Sequence, residues 1–304
     1  MSSTPSTVVC QPRRTSLALR LVDYMELTKP RIAMLELATV AVAAFLAAPE
    51  ALSAGLLFHA LMGTALVAAS ASIFNQWLER HSDAQMTRTA GRPLPSGRVG
   101  SAEAVALGLV TLVAGLAQLA LVVNLPTAAV GLASWLLYVA VYTPLKSRTT
   151  ANTLIGAVAG ALPVWMGWLA TGQPLDVKAT ALFLIVFLWQ FPHFMAIAWI
   201  YRQQYRAAGA KMLTVVDPSG VRAGAQAVIA AIVLIPISLL PAVLPMAGSA
   251  LICFAGVLVL GVGQLLCAVA FLVRRSETSA QRLLWASLIY LPAILMLLML
   301  TTPV

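Results

Sequence analysis

Three side chains that could hold a divalent cation recur every fourth residue near the end of the second long apolar run. Asn75, Glu79 and Asp83 lie in the string NQWLERHSD. On a helix, positions i, i+4 and i+8 drift by only about 40° per step, so these side chains form one stripe. Mg²⁺ binds through one or two carboxylates together with substrate phosphates. The spacing therefore predicts a metal site, with a helix end that merely carries charges as the alternative.

Basic residues follow the stripe and recur before the fifth apolar run. Arg88 and Arg92 alternate with Pro and Gly in MTRTAGRPLPSGRV, a stiff loop whose guanidinium groups can pair with phosphate oxygens. Lys146 and Arg148 could hold an anion. Asn152 shares a helical face with two glycines, for which we expect a packing role in close helix contact, and Asn152 itself could point into a cavity. We expect these residues to bind an anion. The alternative is the ordinary excess of basic residues in cytoplasmic loops.

A second polar group lies inside the sixth apolar run, in the string WQFPHF. Gln190 and His193 are three residues apart on one helical face, and Trp189 is adjacent. Polar side chains at membrane depth usually mark a cavity. A histidine can ligate a haem iron or donate to a propionate or phosphate. The group is therefore a candidate ligand pocket, although a single histidine on an apolar helix is usually a packing residue.

The composition shows which elements must position these side chains. Of the 304 residues, 61% are hydrophobic and 10% are charged, which excludes an ordinary soluble fold, a disordered chain and a coiled coil. The apolar runs are too long for the strands of a membrane barrel. They predict an all-α integral membrane bundle of nine transmembrane helices. The predicted spans are 31–48, 55–78, 102–122, 127–142, 151–171, 177–199, 223–244, 249–273 and 281–301.

The distribution of charge predicts the topology. With nine spans, all of the 19 Lys and Arg residues except Lys178 fall on one side. The positive-inside rule then places the N-terminus, and the face that carries the polar clusters, in the cytoplasm. The excess of basic residues in cytoplasmic loops explains the net charge of +9, so we expect no nucleic-acid partner. Residues 1–22 are predicted to be a basic cytoplasmic tail on a bacterial protein, with an organellar transit segment as the alternative, and residues 23–304 a single domain.

Several strings resemble one family of intramembrane enzymes. They are DYMELTKPRI, NQWLERHSDAQMTRTAGRPLPSGRV, YTPLKSRTTANTLIGAVAGALPVWMGW and FLWQFPHFMAIAWIYRQQYRAAGAKMLTVV. Together they resemble the protohaem IX farnesyltransferase (haem O synthase) family of the UbiA prenyltransferase superfamily. The resemblance runs from about residue 23 to residue 216. The string WQFPHF is its most family-specific part, whereas the stripe is shared across the superfamily.

The resemblance implies Mg²⁺-dependent transfer of a farnesyl group from farnesyl diphosphate to a vinyl group of haem b. It implies a bacterial inner membrane, with the mitochondrial inner membrane as the alternative, and a contact with haem A synthase. The stripe matches the family's first acidic motif, and Arg88, Arg92 and Lys146 match its basic residues. An allylic cation needs a dry aromatic lining, for which Tyr142 and Tyr201 are candidates beside Trp189.

One departure from the family bears on the metal count. Many relatives have two acids in the second motif where this chain has Gln203 and Gln204. Amide oxygens bring no negative charge, so we expect one strong Mg²⁺ site and no firm second one. Three other functions stay open: a related prenyltransferase with a quinone-precursor or other tetrapyrrole acceptor, a non-catalytic haem-binding homologue, and a small transporter. A transporter would spread polar residues through both leaflets, whereas the polar clusters here gather on one side.

Overall fold

The computed structural model describes residues 16–243 and 250–301, and all regular structure in those ranges is helical. Nine of its helices are long and apolar enough to cross a membrane, which confirms the number of spans predicted from the apolar runs. Their orientation in the membrane stays a prediction. Residues 1–15 of the predicted tail, with Arg13 and Arg14, and the predicted outer loop 245–248 lie outside the described residues.

Most helices follow one another with short connections, and the longest connection among the described residues is the loop 84–100 between α3 and α4. Their bounds are α1 Leu17–Thr28, α2 Pro30–Ala47, α3 Ala54–Asp83, α4 Ser101–Gln118, α5 Leu125–Leu136, α6 Thr143–Leu145, α7 Asn152–Ala170, α8 Val177–Ile200, α9 Arg202–Ala207, α10 Leu213–Val216, α11 Val221–Val243, α12 Ala250–Arg274 and α13 Glu277–Thr301. Wider π-helical turns extend α4 through Leu119–Val123 and join α5 to α6 through Leu137–Tyr142.

Two helices form the centre of the bundle. Buried residues make up 67% of the spanning window of α7 and 61% of that of α8, against 17–39% for the other seven spans. Both are apolar around most of their circumference, as a helix surrounded by other helices must be. The largest core cluster joins them to α2, α11, α12 and α13, with Trp168, Ile185 and Ile294 among its buried members. Most side chains of α7 and α8 therefore face neighbouring helices rather than lipid.

The N-terminal helix differs from the prediction of a tail that ends at residue 22. Helix α1 runs from Leu17 to Thr28, so the expected boundary falls inside it. Asp23 and Leu27 are buried, and Gln76 of α3 donates a hydrogen bond to the carbonyl oxygen of Leu27 at 2.8 Å. Arg98 forms ion pairs with Asp23 and Glu26. These contacts attach α1 to the bundle.

Candidate functional site

The last two turns of α3 carry the predicted stripe. This helix extends beyond the predicted end at residue 78 and stops only at Asp83. The Asn75 Nδ2 atom donates to the Glu79 Oε2 atom at 3.0 Å, so the two side chains are neighbours on one face, as their spacing indicates. Asn75 and Asp83 are buried. That the stripe binds a metal stays a prediction.

The Asn75 amide is held in one orientation by three partners. Its Nδ2 atom donates to Glu79 and, at 3.1 Å, to the Thr143 hydroxyl of α6. Its Oδ1 atom accepts a hydrogen bond from the Lys29 Nζ atom at 2.8 Å. Both donor sites of the amide are therefore used on its neighbours, and the carbonyl oxygen is left to face Lys29.

The two carboxylates of the stripe are each paired with a basic residue from another segment. The Lys146 Nζ atom lies 2.8 Å from the Glu79 Oε1 atom. The Arg92 Nη1 atom lies 2.7 Å from the Asp83 Oδ2 atom, and the Asp83 side chain is only 2% exposed. A buried carboxylate is costly without a partner. Residues predicted to bind an anion thus neutralise the residues predicted to bind a cation.

Burial and neighbouring charges shift the pKa values of Lys29 and Lys146 in opposite directions. Burial, reinforced by repulsion from Arg92, lowers the pKa of Lys29 to about 7 despite the opposing attraction of Glu79. Burial also opposes the charge on Lys146, but the adjacent Glu79 carboxylate outweighs it and holds the pKa of Lys146 well above its ordinary value. Lys146 is therefore a permanent cation. A polyanion in the site would favour the charged form of Lys29 in the same way.

These groups open onto a cavity of about 480 Å³, a volume within the range of small-molecule sites. Its wall combines the stripe and its basic partners with aromatic side chains. The lining includes Lys29, Ile32, Asn75, Glu79, Asp83, Arg88, Arg92, Tyr138, Tyr142, Thr143, Lys146, Asn152, Phe194, Ile197 and Tyr205. The arrangement suits a ligand with an anionic end and an apolar remainder.

The predicted second motif meets the basic loop at Arg88, which lines the cavity, whereas Tyr201, Gln203 and Gln204 are not part of the lining. The Arg88 guanidinium lies over the ring of Tyr201 at 4.9 Å. The backbone amide of Arg88 donates to the Gln204 Oε1 atom at 3.4 Å, and Gln203 is exposed. Tyr201 therefore positions Arg88 rather than lining the cavity itself.

Asn152 and Arg148, both predicted to bind an anion, differ in position. Asn152 is buried and lines the cavity, but its Nδ2 atom donates to the backbone oxygens of Thr149 at 2.6 Å and Lys211 at 3.2 Å. It therefore links the start of α7 to the segment after α9. Arg148 is exposed and is not part of the lining, so the structure does not bring it to the cavity.

The candidate acceptor residues of α8 also lie outside the lining of the cavity. The Trp189 Nε1 atom donates to the backbone oxygen of Ser287 in α13 at 2.6 Å. His193 lies 3.0 Å from the Ser287 hydroxyl, and its ring stacks on Trp189 with the centroids 4.9 Å apart. Both side chains thus face the last helix. For His193 these contacts favour the packing alternative, and a role of either side chain in binding the acceptor stays a prediction.

Gln190 points in another direction, into the interface of α7 and α8. Its Nε2 atom donates to the backbone oxygens of Ala157 at 2.9 Å and Val186 at 3.2 Å. A Cβ atom added at Gly160 would lie 2.4 Å from the Gln190 Oε1 atom. Gly156 similarly makes room for the ring of Tyr142. The packing role expected for these glycines is thus observed.

Several lining residues were not singled out from the sequence. Lys29 was counted only as part of the basic face, and Tyr138 and Thr143 looked like parts of an ordinary apolar helix. The string Thr-Lys-Pro could have indicated Lys29. A proline often begins a helix and keeps the preceding residue out of it, so the string predicts that Lys29 lies at a break between two helices. No comparable pattern identifies Tyr138, which faces the cavity through the π-helical turn after α5.

The donor set at the stripe was tested against the metal that the resemblance implies. Within residues 16–243 and 250–301, no group of three or more His, Cys, Asp or Glu side chains could hold a metal ion alone. Two carboxylates and one amide do suit Mg²⁺ that takes its other ligands from substrate phosphates and water. The residues present therefore fit a metal that binds together with a phosphorylated ligand.

Comparison with known proteins decides the family. The model described as the UbiA prenyltransferase family matches residues 37–291, which covers most of the chain. This chain belongs to the UbiA prenyltransferase family. The stripe, the cavity and the basic partners of the stripe are therefore features of a UbiA-family protein.

Curated relatives of this UbiA-family protein from different organisms share one name. The protohaem IX farnesyltransferase of Solibacter usitatus is 42% identical over 290 residues, which are 92% of this chain and 99% of the relative. That of Myxococcus xanthus is 42% identical over 282 residues, 92% of this chain and 94% of the relative. The mitochondrial protein of Arabidopsis thaliana is 36% identical over 272 residues, 88% of this chain and 62% of that protein.

Solved structures confirm the UbiA fold. A structure of digeranylgeranylglyceryl phosphate synthase superposes with a TM-score of 0.77 at 15% identity, covering 93% of this chain and 98% of the other. A UbiA homologue from Archaeoglobus fulgidus bound to GPP and Mg²⁺ gives 0.68 at 15% identity, with coverage of 91% and 99%. The predicted all-α membrane bundle is therefore correct.

Proposed function

We propose that this protein transfers the farnesyl group of farnesyl diphosphate to a vinyl group of haem b, which releases diphosphate and yields haem O. The observation that carries the proposal is the cavity, in which two carboxylates and an amide face basic side chains beside an aromatic wall. The names of the full-length relatives specify the donor and the acceptor.

The polar end of the cavity would hold the diphosphate. Lys146 and Arg92 are fixed beside the stripe, and Arg88, which lines the cavity, is held over the ring of Tyr201. When the C–O bond of the donor breaks, both electrons leave with the diphosphate. Fixed cations stabilise that developing charge without having to reorganise. These residues therefore favour the leaving group more strongly in the transition state than in the bound donor.

The stripe would hold Mg²⁺ through Asn75, Glu79 and Asp83. When bound, Mg²⁺ acts as a Lewis acid on the diphosphate oxygens. We place one such ion here and none at the second motif, because Gln203 is exposed and Gln204 bonds to the backbone of Arg88. The two carboxylates would hold the metal next to Lys146 and Arg92, so that the metal and these basic side chains would act on the same diphosphate group.

The apolar end of the cavity would protect the reactive farnesyl group. Tyr138, Tyr142 and Phe194 line it, and aromatic faces attract cationic carbon. Exclusion of water keeps the allylic cation available to the π electrons of the haem vinyl group until the new C–C bond has formed. The cation left on the vinyl carbon next to the macrocycle would then add one water molecule, which loses a proton and supplies the hydroxyl group of haem O. The acceptor, which is poorly soluble in water, would enter from the bilayer. The active face would be cytoplasmic in a bacterial inner membrane, and a contact with haem A synthase stays a prediction.

Turnover by the full chain in lipid nanodiscs tests this proposal. With haem b, farnesyl diphosphate and Mg²⁺ supplied, mass spectrometry should detect haem O, and the product should disappear with EDTA and return with added Mg²⁺. Haem binding without product would support the non-catalytic alternative. Prenylation of a quinone precursor but not of haem would keep the reaction class and overturn the acceptor.

A further inference from the structure

Lys29 occupies the single residue between α1 and α2. Its backbone has φ of 50° and ψ of 58°, the left-handed region that glycine adopts most easily. Pro30 begins α2 immediately afterwards. A strained non-glycine residue at a functional cavity suggests that its side chain is used there. Here the side chain reaches across to α3.

The contact made by Lys29 involves the one atom of Asn75 that could bind a metal. Both hydrogens of the Asn75 amide are directed to Glu79 and Thr143, so the Oδ1 atom is turned toward the cavity. The Lys29 Nζ atom lies 2.8 Å from it. A cation bound to the Oδ1 atom would be a close neighbour of this amino group.

Lys29 therefore completes a pattern of three matched pairs. Each oxygen-bearing side chain of the stripe has one basic partner, namely Lys29 for Asn75, Lys146 for Glu79 and Arg92 for Asp83. The stripe is thus already neutralised by the protein itself. A divalent cation that arrived alone would meet two cationic side chains and the Lys29 amino group, and would gain few free ligands.

We infer that Lys29 exchanges partners during the binding of the prenyl donor. It holds the Asn75 oxygen while the donor is absent, and it turns to a diphosphate oxygen when the donor and its metal enter together. This inference rests on the proposed function. A lysine on a flexible stem can make this change without moving either helix. Lys29 is then a ligand of the diphosphate as well as a competitor of the free metal.

The variant Lys29→Met separates these two roles because it should move two affinities in opposite directions. In haem-free nanodiscs, Mn²⁺ alone should bind about tenfold more tightly, since repulsion by a nearby charge is removed. Farnesyl diphosphate in the presence of Mg²⁺ should bind about tenfold more weakly, since a charged hydrogen bond is lost. Electron paramagnetic resonance of free Mn²⁺ and titration calorimetry measure these affinities.

Two further variants control the experiment. Lys29→Gly also removes the amino group, but glycine adopts the left-handed backbone without strain, so this variant should fold at least as well. Like Lys29→Met, it should bind Mn²⁺ alone more tightly and farnesyl diphosphate more weakly. Lys178→Met, which removes a lysine that does not line the cavity, should shift neither. If both affinities fall together, Lys29 only positions Asn75 and the inference is wrong. It is also wrong if neither affinity changes.

The result distinguishes this inference from the proposed function. If the unmodified protein binds farnesyl diphosphate with Mg²⁺ but Lys29→Met binds it equally well, the inference fails and the proposed function stands. If the unmodified protein does not bind the donor, the proposed function fails and the partner exchange fails with it. In that case, the Mn²⁺ affinities of the unmodified protein and of Lys29→Met show only whether Lys29 competes with a metal for Asn75.

Discussion

Two polar clusters interrupt the apolar helices of this protein, and they differ in charge and in what satisfies them. The stripe at the end of α3 is ionic, lines a cavity and is paired with basic side chains from other segments. The group around Gln190 and His193 in α8 has no charged side chain as a hydrogen-bond partner. Its hydrogen bonds join it to backbone oxygens of α7 and α8 and to Ser287 of α13.

The difference shows that membrane depth alone does not identify an active site. A polar side chain inside a bundle must find a partner, and a backbone carbonyl of a neighbouring helix is the simplest one. A cluster satisfied in that way orients helices. A cluster of opposite charges that opens onto a cavity can instead exchange its internal partners for those of a charged ligand. The following variants test this distinction.

The largest effect is expected for Asp83→Asn in the stripe. The change keeps the shape of the side chain but removes its charge, so it weakens a metal ligand and leaves Arg92 without its buried partner. Haem O formation should fall by about 10²-fold or more. Size-exclusion chromatography should still show a folded, monodisperse protein, and thermal unfolding should stay cooperative and begin above the assay temperature, although loss of the ion pair lowers its midpoint. Retained turnover would remove the stripe from the mechanism.

A smaller effect, on stability, is expected where Gln190 meets α7. In Gly160→Ala, the new methyl group would displace the Gln190 amide from its two backbone acceptors. We expect a loss of about 1–3 kcal/mol in unfolding free energy, measured by denaturant titration in detergent. Gly263→Ala in α12, where a Cβ meets nothing within 4 Å, is the matched control. Equal stability of the two variants would contradict the described packing of α7 on α8.

The smallest effect is expected for His193→Ala. It removes a hydrogen bond to Ser287 and a stacked contact with Trp189, which should cost about 1 kcal/mol of stability. The KM for haem should change by less than about threefold, because the side chain faces α13 rather than the cavity. An increase of tenfold or more in that KM, with unchanged affinity for farnesyl diphosphate, would restore His193 as part of the acceptor pocket.

Local patterns were sufficient to predict the number of spans, the all-helical fold and the stripe. A run of about 20 apolar residues predicts a membrane helix, because a helix pairs all of its own backbone groups and unpaired backbone groups are too costly in lipid. The four-residue spacing placed Asn75 beside Glu79 for the same local reason. The family resemblance seen in the sequence motifs was also correct.

The partners of those side chains depended on contacts between distant parts of the chain. Lys29 and Asn75 are 46 residues apart, and Glu79 and Lys146 are 67 apart, so no local pattern links them. The direction in which Gln190 and His193 point depends on which helices surround α8. Periodicity reveals that a residue is polar at membrane depth and on which side of its own helix it lies. Only the packing of the bundle decides whether that side meets a neighbouring backbone or an open cavity. The position of each helix minimises the free energy of all its contacts together, and those contacts come from segments that are far apart in the sequence.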